Sequence, residues 1–203
     1  MTNLDRIKNK IKRAPKGSLF ILGDFSHLNI PYNTLKEYIR RLVKSGELRL
    51  VYRGIYQKPK FNNKLNREVP ASPSDIANTY ARKNNWKIVP SGDTALNQLG
   101  LTTQVPNTYQ YKSSGPNREI ILKSGIKISF ENTVSREIDM EKTSALVIEA
   151  LKSIGEENAN DDVLKMITDK LSDTQLKQLR KDVALSRNRI RDLVVLLAGN
   201  IKC

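Results

Sequence analysis

The sequence has few of the residues that disulfides, metal sites and membrane segments require. It contains one cysteine, Cys203, and one histidine, His27, among 203 residues. A single cysteine excludes an internal disulfide framework and a thiolate zinc cluster, and a single histidine excludes a metal site built from several histidines. The longest apolar run, residues 193–198, is far too short to cross a bilayer, and the N-terminus carries charge where a signal peptide is apolar. We therefore expect a cytoplasmic protein with no membrane partner.

Positive charge is what the sequence has in excess. It carries 35 Lys and Arg against 21 Asp and Glu, a net charge of +14. Up to Glu68 there are 16 basic and 5 acidic residues, a net charge of +11, whereas the remainder of the chain is close to neutral. A basic excess confined to one segment predicts a binding surface for a polyanion, and nucleic acid is the usual polyanion.

The first 68 residues begin with a pattern of short helices. Thr2 or Asn3 can cap a first amphipathic helix that runs to about Arg13. Residues 18–22 form a short apolar run that predicts a strand or a buried connector, and residues 25–28 predict a short second helix with Asp24 as its cap.

A longer basic helix and a hairpin follow. Asn33 or Thr34 can start this helix, and Gly46 suits the left-handed turn that stops it. Strands are predicted at 47–52 and 55–58, joined by a tight turn. Helix, short helix, basic helix and basic hairpin are the elements of a winged helix-turn-helix, in their usual order, and we predict this fold for the first 68 residues.

This module offers two sets of candidate DNA-binding residues. An α-helix fits the major groove of B-DNA, where Arg, Asn and Lys read base edges, and a wing places cations and tyrosines against phosphates. The alternative is a solvated surface helix, which we disfavour because the hairpin and the +11 segment coincide with it. Glu37 is the one acidic residue on the helix face, and it can accept from cytosine or pair with a neighbouring arginine. The helix contributes Asn33, Thr34, Lys36, Arg40, Arg41 and Lys44, and the hairpin contributes Arg49, Tyr52, Arg53 and Lys58.

The remaining chain, residues 69–203, is predicted to be a second domain. Residues 61–68 are polar and lack a clear period, and two prolines follow, so this stretch predicts a linker. In residues 69–140, helix signals alternate with strand signals, which predicts an α+β core. Residues 141–203 are predicted to be helical, with a last helix at about 190–197. The whole chain is therefore assigned to the α+β class.

Catalytic signatures are weak. Gly17-Ser18 followed by Asp24 is reminiscent of nucleotidyltransferases, but the second carboxylate that holds a metal ion in that chemistry is missing. Ser91-Gly92-Asp93 predicts a helix start rather than a nucleophile. We expect no enzyme activity, no metal and no cofactor. Two alternatives stay open, a degenerate nucleotidyltransferase or nuclease that uses central carboxylates, and a general nucleic-acid-binding module.

Several motifs together resemble a known family. They are Arg53-Gly54-Ile55-Tyr56, Pro90-Ser91-Gly92-Asp93-Thr94-Ala95-Leu96-Asn97-Gln98-Leu99-Gly100-Leu101, Gln104-Val105-Pro106, Arg136-Glu137-Ile138 and Glu141-Lys142-Thr143. The chain is similar to the AbiEi-like antitoxins of type IV, abortive-infection toxin–antitoxin systems of bacteria. The resemblance implies an N-terminal domain that binds inverted repeats in its own operon's promoter as two copies and represses it. It also implies an antitoxin domain that opposes a nucleotidyltransferase-like toxin without an obligatory stable complex.

Overall fold

The computed structural model describes residues 2–183. Over this range helices alternate with small sheets, so the predicted α+β class is confirmed. The chain divides into two compact units, one that ends at Asn85 and one that begins at Trp86. The last predicted helix, at about 190–197, lies outside the described residues.

The first unit starts with helices and a three-stranded sheet whose order is β1-β3-β2, with both pairs antiparallel. Its elements are α1 (Asn3–Arg13), β1 (Leu19–Phe20), a 3₁₀ helix (Leu22–Leu28), α2 (Tyr32–Lys44), β2 (Arg49–Tyr52) and β3 (Ile55–Gln57).

Helix α1 begins where the sequence predicts. The Thr2 hydroxyl accepts from the backbone N–H of Asp5, and the Asp5 carboxylate accepts from the backbone N–H of Thr2 at 2.9 Å. This reciprocal capping box satisfies two backbone donors that the helix start leaves open. The hydrogen bond from the Thr2 hydroxyl lowers the pKa of the Asp5 carboxyl. The cap therefore fixes the register in which Ile7 and Ile11 face the core.

The core of the first unit is apolar and helix-rich. The rings of Phe20 and Phe25 stack at 5.9 Å between centroids, which joins the sheet to the 3₁₀ helix. One face of α2 inserts three side chains into this core, and its other face stays in solvent. The largest apolar cluster of this unit consists of Ile7, Ile11, Phe20, Phe25, Leu28, Leu35, Ile39, Leu42 and Leu48.

The stretch from 61 to 68 is not a linker, and that prediction is wrong. It forms a hairpin of β4 (Phe61–Asn62) and β5 (Arg67–Glu68), in which Phe61 pairs with Glu68. The Asn62 side chain stabilises the turn by accepting from the backbone N–H groups of Lys64 and Leu65. The sequence does not reveal this hairpin, because its turn is held by a polar side chain and its strands are too short to show an alternation of apolar residues.

The first unit also extends beyond Glu68, where the sequence predicted the boundary. Helix α3 (Pro73–Lys83) packs against β1 and β3 and lies within this unit. The side-chain amide of Gln57 on β3 donates to the carbonyl of Val69, which fixes the chain before α3. Ser72 starts α3 by accepting from the backbone N–H of Asp75.

The second unit is built on a four-stranded sheet of order β6-β7-β9-β8. Strands β7 and β9 run parallel in its centre, and the other two pairs are antiparallel. Tyr111 pairs with Phe130 across the parallel strands, and their rings stack at 5.8 Å. The strands are β6 (Ile88–Ser91), β7 (Thr108–Ser113), β8 (Arg118–Ile121) and β9 (Lys127–Asn132).

Helices cover this sheet, and residues 141–183 are largely helical, as the sequence predicts for this part of the chain. Glu141 caps α6 by accepting from the backbone N–H groups of Thr143 and Ser144 at 2.7 and 3.0 Å. Helix α6 contacts α4, α8 and β6, and it supplies five of the fifteen buried residues that the structure describes in the apolar core of the second unit. The helices are α4 (Gly92–Gln98), α5 (Ser135–Ile138), α6 (Lys142–Ile154), a 3₁₀ turn (Glu156–Asn158), α7 (Asp161–Thr168) and α8 (Asp173–Val183).

The motif at 90–101 joins β6 to α4 and locks both onto β7. Gly92 has a φ of +56°, and a Cβ atom there would overlap the Oε1 atom of Gln110. The hydroxyl of Thr94, which is almost fully buried, accepts from the backbone N–H of Gln110 at 2.7 Å. The motif thus places a glycine against the side chain of Gln110 and a threonine hydroxyl against its backbone N–H.

Candidate nucleic-acid interface

Helix α2 presents a polar face that the core leaves in solvent. The helix begins at Tyr32, with Pro31 before it, rather than being capped by Asn33 or Thr34 as the sequence predicts. It ends at Lys44, and Gly46, at a φ of +78°, turns the chain away. Leu35, Ile39 and Leu42 are buried, so the opposite side of the helix is fixed in orientation. The exposed side carries Asn33, Lys36, Arg40, Arg41 and Lys44, and Thr34 is half-buried.

Glu37 pairs with both arginines of this face. Its carboxylate accepts from Arg40 Nε at 3.0 Å and from Arg41 Nε at 3.4 Å. The hydrogen bond and positive charge of Arg40, followed by those of Arg41, lower the pKa of the Glu37 carboxyl. Both arginine side chains stay largely exposed, at 80% and 63%. The acid therefore holds the two guanidinium groups along the helix without removing them from solvent.

The β2–β3 hairpin carries the other predicted residues. Arg49 pairs with Gln57 and Tyr52 with Ile55, with an irregular register between Leu50 and Tyr52. The turn contains Arg53, which is exposed, and Gly54, whose φ of +74° is strained for a side chain with a Cβ atom. The hairpin thus projects an arginine at its tip.

The side chains of three of the four hairpin residues have further partners in the first unit. Arg49 forms an ion pair with Glu68 on β5, and the ring of Tyr52 contacts the edge of the Tyr80 ring at 5.9 Å. Lys58 Nζ donates to the carbonyls of Lys12 and Ala14, at 2.8 and 2.7 Å, at the C-terminal end of α1. The structure therefore gives Lys58 a helix-capping role in addition to the phosphate contact that the sequence predicts.

Sequence reasoning missed α3 as a neighbour of the hairpin. Lys83 Nζ donates to the carbonyl of Arg53 at 2.7 Å, and Arg82 pairs with Asp24 in the 3₁₀ helix. The sequence has no local signal for either contact, because both join residues that are far apart in the chain. With α3 included, the first unit has 18 Lys and Arg against six Asp and Glu, a net charge of +12.

The enzymatic alternative needs clustered carboxylates that hold a metal ion. In residues 2–183, no cluster of three or more His, Cys, Asp or Glu side chains is arranged to hold a metal ion. No helix in the same range is both long and apolar enough to span a membrane.

The fold and its surface define an α+β chain whose first unit combines a basic helix face with a basic hairpin. The model of the family of unknown function DUF6088 matches residues 6–179, and the chain belongs to this family. A comparison with curated proteins gave no match.

Proposed function

We propose that the first unit is a winged helix-turn-helix that binds double-stranded DNA. The order α1, β1, 3₁₀ helix, α2, β2, β3 supports this assignment, as does the antiparallel sheet order β1-β3-β2. In this proposal α2 is the recognition helix, which enters the major groove, and the β2–β3 hairpin is the wing.

The polar face of α2 is the observation that carries the proposal. Leu35, Ile39 and Leu42 hold its buried side in the core, so the helix face that carries the exposed arginines and lysines has a fixed orientation. Arg40 and Arg41 can donate to guanine O6 and N7 or to phosphates, and Asn33 can pair with adenine. Lys36 and Lys44 add charge along the same face, which favours phosphate contacts and a steep salt dependence.

We further propose that the protein represses its own operon and acts as an antitoxin. This part of the proposal rests on the resemblance to the AbiEi-like antitoxins. It requires two copies on an inverted repeat in the promoter, since a two-fold DNA site is matched by two symmetric recognition helices. The second unit would oppose a nucleotidyltransferase-like toxin encoded beside it.

The double variant Arg40→Ala/Arg41→Ala in the full chain tests DNA binding. The probes are a duplex that spans the region upstream of the protein's own gene and a scrambled duplex of equal length. We expect affinity for the upstream duplex to fall by about 10- to 100-fold, and the log–log salt slope to fall by about two. The matched control, Lys177→Ala/Lys181→Ala, removes two exposed charges from α8 in the second unit and should leave both unchanged.

Two results would overturn the proposal. One is unchanged binding by the arginine variant, and the other is full binding by a fragment that begins at Trp86. Equal affinity for the upstream and scrambled duplexes would instead favour the general nucleic-acid-binding module.

A separate experiment tests the antitoxin function. The adjacent gene, where it encodes a nucleotidyltransferase-like protein, is expressed alone and with this chain, and growth is followed. We expect the full chain to restore growth, and the Arg40→Ala/Arg41→Ala variant to restore it equally when expressed from an unrelated promoter. A chain that never restores growth would contradict the antitoxin proposal and leave DNA binding to be judged by its own test.

A further inference from the structure

The C-terminal end of α3 reaches the tip of the hairpin. Lys83, the last residue of α3, places its Nζ atom 2.7 Å from the carbonyl oxygen of Arg53. A Cβ atom at Gly54 would lie 2.8 Å from the same Nζ atom, so the ammonium group sits directly over the turn. The sharp Arg53-Gly54 turn therefore has a partner from outside the hairpin.

Two further contacts fix α3 in this position. The Tyr80 ring, one turn before Lys83, meets the Tyr52 ring at the end of β2. Arg82 forms an ion pair with Asp24, whose carboxylate also accepts from the backbone N–H of Ile21 at 2.9 Å. Helix α3 thus contacts the 3₁₀ helix and the hairpin at once, and both contacts lie in its last turn.

The chemistry of the Lys83 ammonium allows a second contact. An ammonium group has three N–H donors, and the Arg53 carbonyl accepts one of them. Lys83 is exposed, so the remaining donors can meet an anion from solvent. The hydrogen bond to the turn holds this charge beside Arg53, which makes the hairpin tip a site for a phosphate oxygen rather than for a base edge.

We propose that Lys83 is a positioning residue of the wing, which braces the Arg53-Gly54 turn and donates to a DNA phosphate beside it. This inference rests on the proposed DNA binding by the first unit. It extends the interface to α3, a helix outside the α1-to-β3 elements that define the winged helix.

The test compares full-length variants on the upstream duplex at several salt concentrations. We expect Lys83→Met to weaken binding about fivefold and to lower the salt slope by about one, as the loss of one phosphate contact does. Lys83→Arg, which keeps the charge and can reach the same carbonyl, should restore most of the affinity. Lys165→Met, which removes an exposed lysine from α7 in the second unit, is the matched control and should bind like the unaltered chain.

A double-mutant cycle separates bracing from simple loss of charge. Arg53→Ala keeps the backbone carbonyl that Lys83 contacts, so Lys83→Met should still lose its own phosphate contact in that background. If Lys83 also positions the Arg53 side chain, the effect of Lys83→Met should fall from about fivefold in the unaltered chain to about twofold after Arg53→Ala. The melting temperature of Lys83→Met should lie within a few degrees of that of the unaltered chain, because one exposed hydrogen bond contributes about 1 kcal/mol or less. Purely additive effects, or an unchanged salt slope and affinity, would overturn the inference.

The proposed function fails in a different way. If the unaltered chain does not bind the upstream duplex, DNA binding itself is wrong. If the unaltered chain binds and Lys83→Met binds equally well, only the role of Lys83 is wrong.

Discussion

Glu37 is the residue on the polar face of α2 whose charge opposes the proposed function. It holds Arg40 and Arg41 along the helix and faces the same solvent as they do. An approaching phosphate backbone repels the carboxylate and competes for both guanidinium groups. We expect Glu37→Gln to tighten binding to a scrambled duplex by about fivefold at low salt, and less at high salt where charges are screened. Fluorescence anisotropy with a labelled duplex measures this change.

A second acidic residue of the first unit provides the control for that prediction. Glu47 pairs with Lys8 at 2.9 Å and lies after α2, so Glu47→Gln removes an equal charge away from the recognition face. We expect a smaller gain than for Glu37→Gln. Equal gains from the two variants would mean that net charge, and not the face of α2, sets the affinity.

Thr94 is the residue at which the motif at 90–101 makes its clearest contribution to stability. Thr94→Val keeps the shape of the side chain but leaves the backbone N–H of Gln110 without its acceptor in a part-buried position. We expect a loss of about 1–3 kcal/mol in the free energy of unfolding, the usual cost of an unsatisfied buried donor. Urea denaturation measures it. The control is Thr102→Val, whose hydroxyl accepts from the exposed backbone N–H of Gln104, and a loss as large there would contradict the reasoning.

Individual helices and strands were predicted well where the signal is local. The Thr2 cap and the apolar spacing of Ile7 and Ile11 define α1 from the sequence, and the turn at Arg53-Gly54 defines the β2–β3 hairpin. The placement of elements relative to one another was not predictable in this way. It depends on contacts between residues that are distant in sequence, such as Arg82 with Asp24. Such contacts produce no periodic pattern in the sequence.

Lys58 follows β3 and contacts the end of α1. A variant at this position shows whether its capping of α1 or a contact with DNA phosphate is the larger contribution. Lys58→Met removes two hydrogen bonds to the carbonyls of Lys12 and Ala14. We expect the free energy of unfolding to fall by about 1 kcal/mol, which is below the usual range for charged donors because the site is partly exposed. DNA affinity should change less than about twofold. Urea denaturation and anisotropy, measured on the same preparation, give the two values.

The opposite result, unchanged stability with weaker DNA binding, would support the phosphate contact that the sequence predicts for Lys58. An unchanged stability with a salt slope lower by about one would identify a phosphate contact. Lys64→Met, in the exposed β4–β5 turn, controls for the loss of one positive charge from the same unit.

At the scale of the whole molecule, the excess charge coincides with one of the two units. The unit that ends at Asn85 has a net charge of +12, whereas the rest of the sequence has a net charge of +2. The sequence located this asymmetry but placed its boundary at Glu68, because a polar segment followed by prolines is typical of a linker. Backbone pairing in β4–β5 and the packing of α3 extend the unit instead.

The position of this boundary predicts how fragments behave. A fragment that ends at Asn85 keeps α3, the Arg82–Asp24 ion pair and the Lys83–Arg53 contact. We expect it to unfold cooperatively and to keep the salt slope of the full chain per bound copy, since that slope counts phosphate contacts. A fragment that ends at Glu68 loses these contacts and uncovers the surface of β1 and β3 that α3 covers. We expect it to be less stable and to have a slope lower by about one.

Chemical denaturation and salt-dependent anisotropy on the two fragments decide between the boundaries. Equal stability and equal slopes would place the boundary at Glu68, because α3 would then contribute neither packing nor a phosphate contact. A shallow slope for both fragments, with the steep slope kept only by the full chain, would mean that the second unit supplies phosphate contacts despite its small net charge. Only a steep slope in the Asn85 fragment and a shallower one in the Glu68 fragment fits a DNA-binding unit that includes α3.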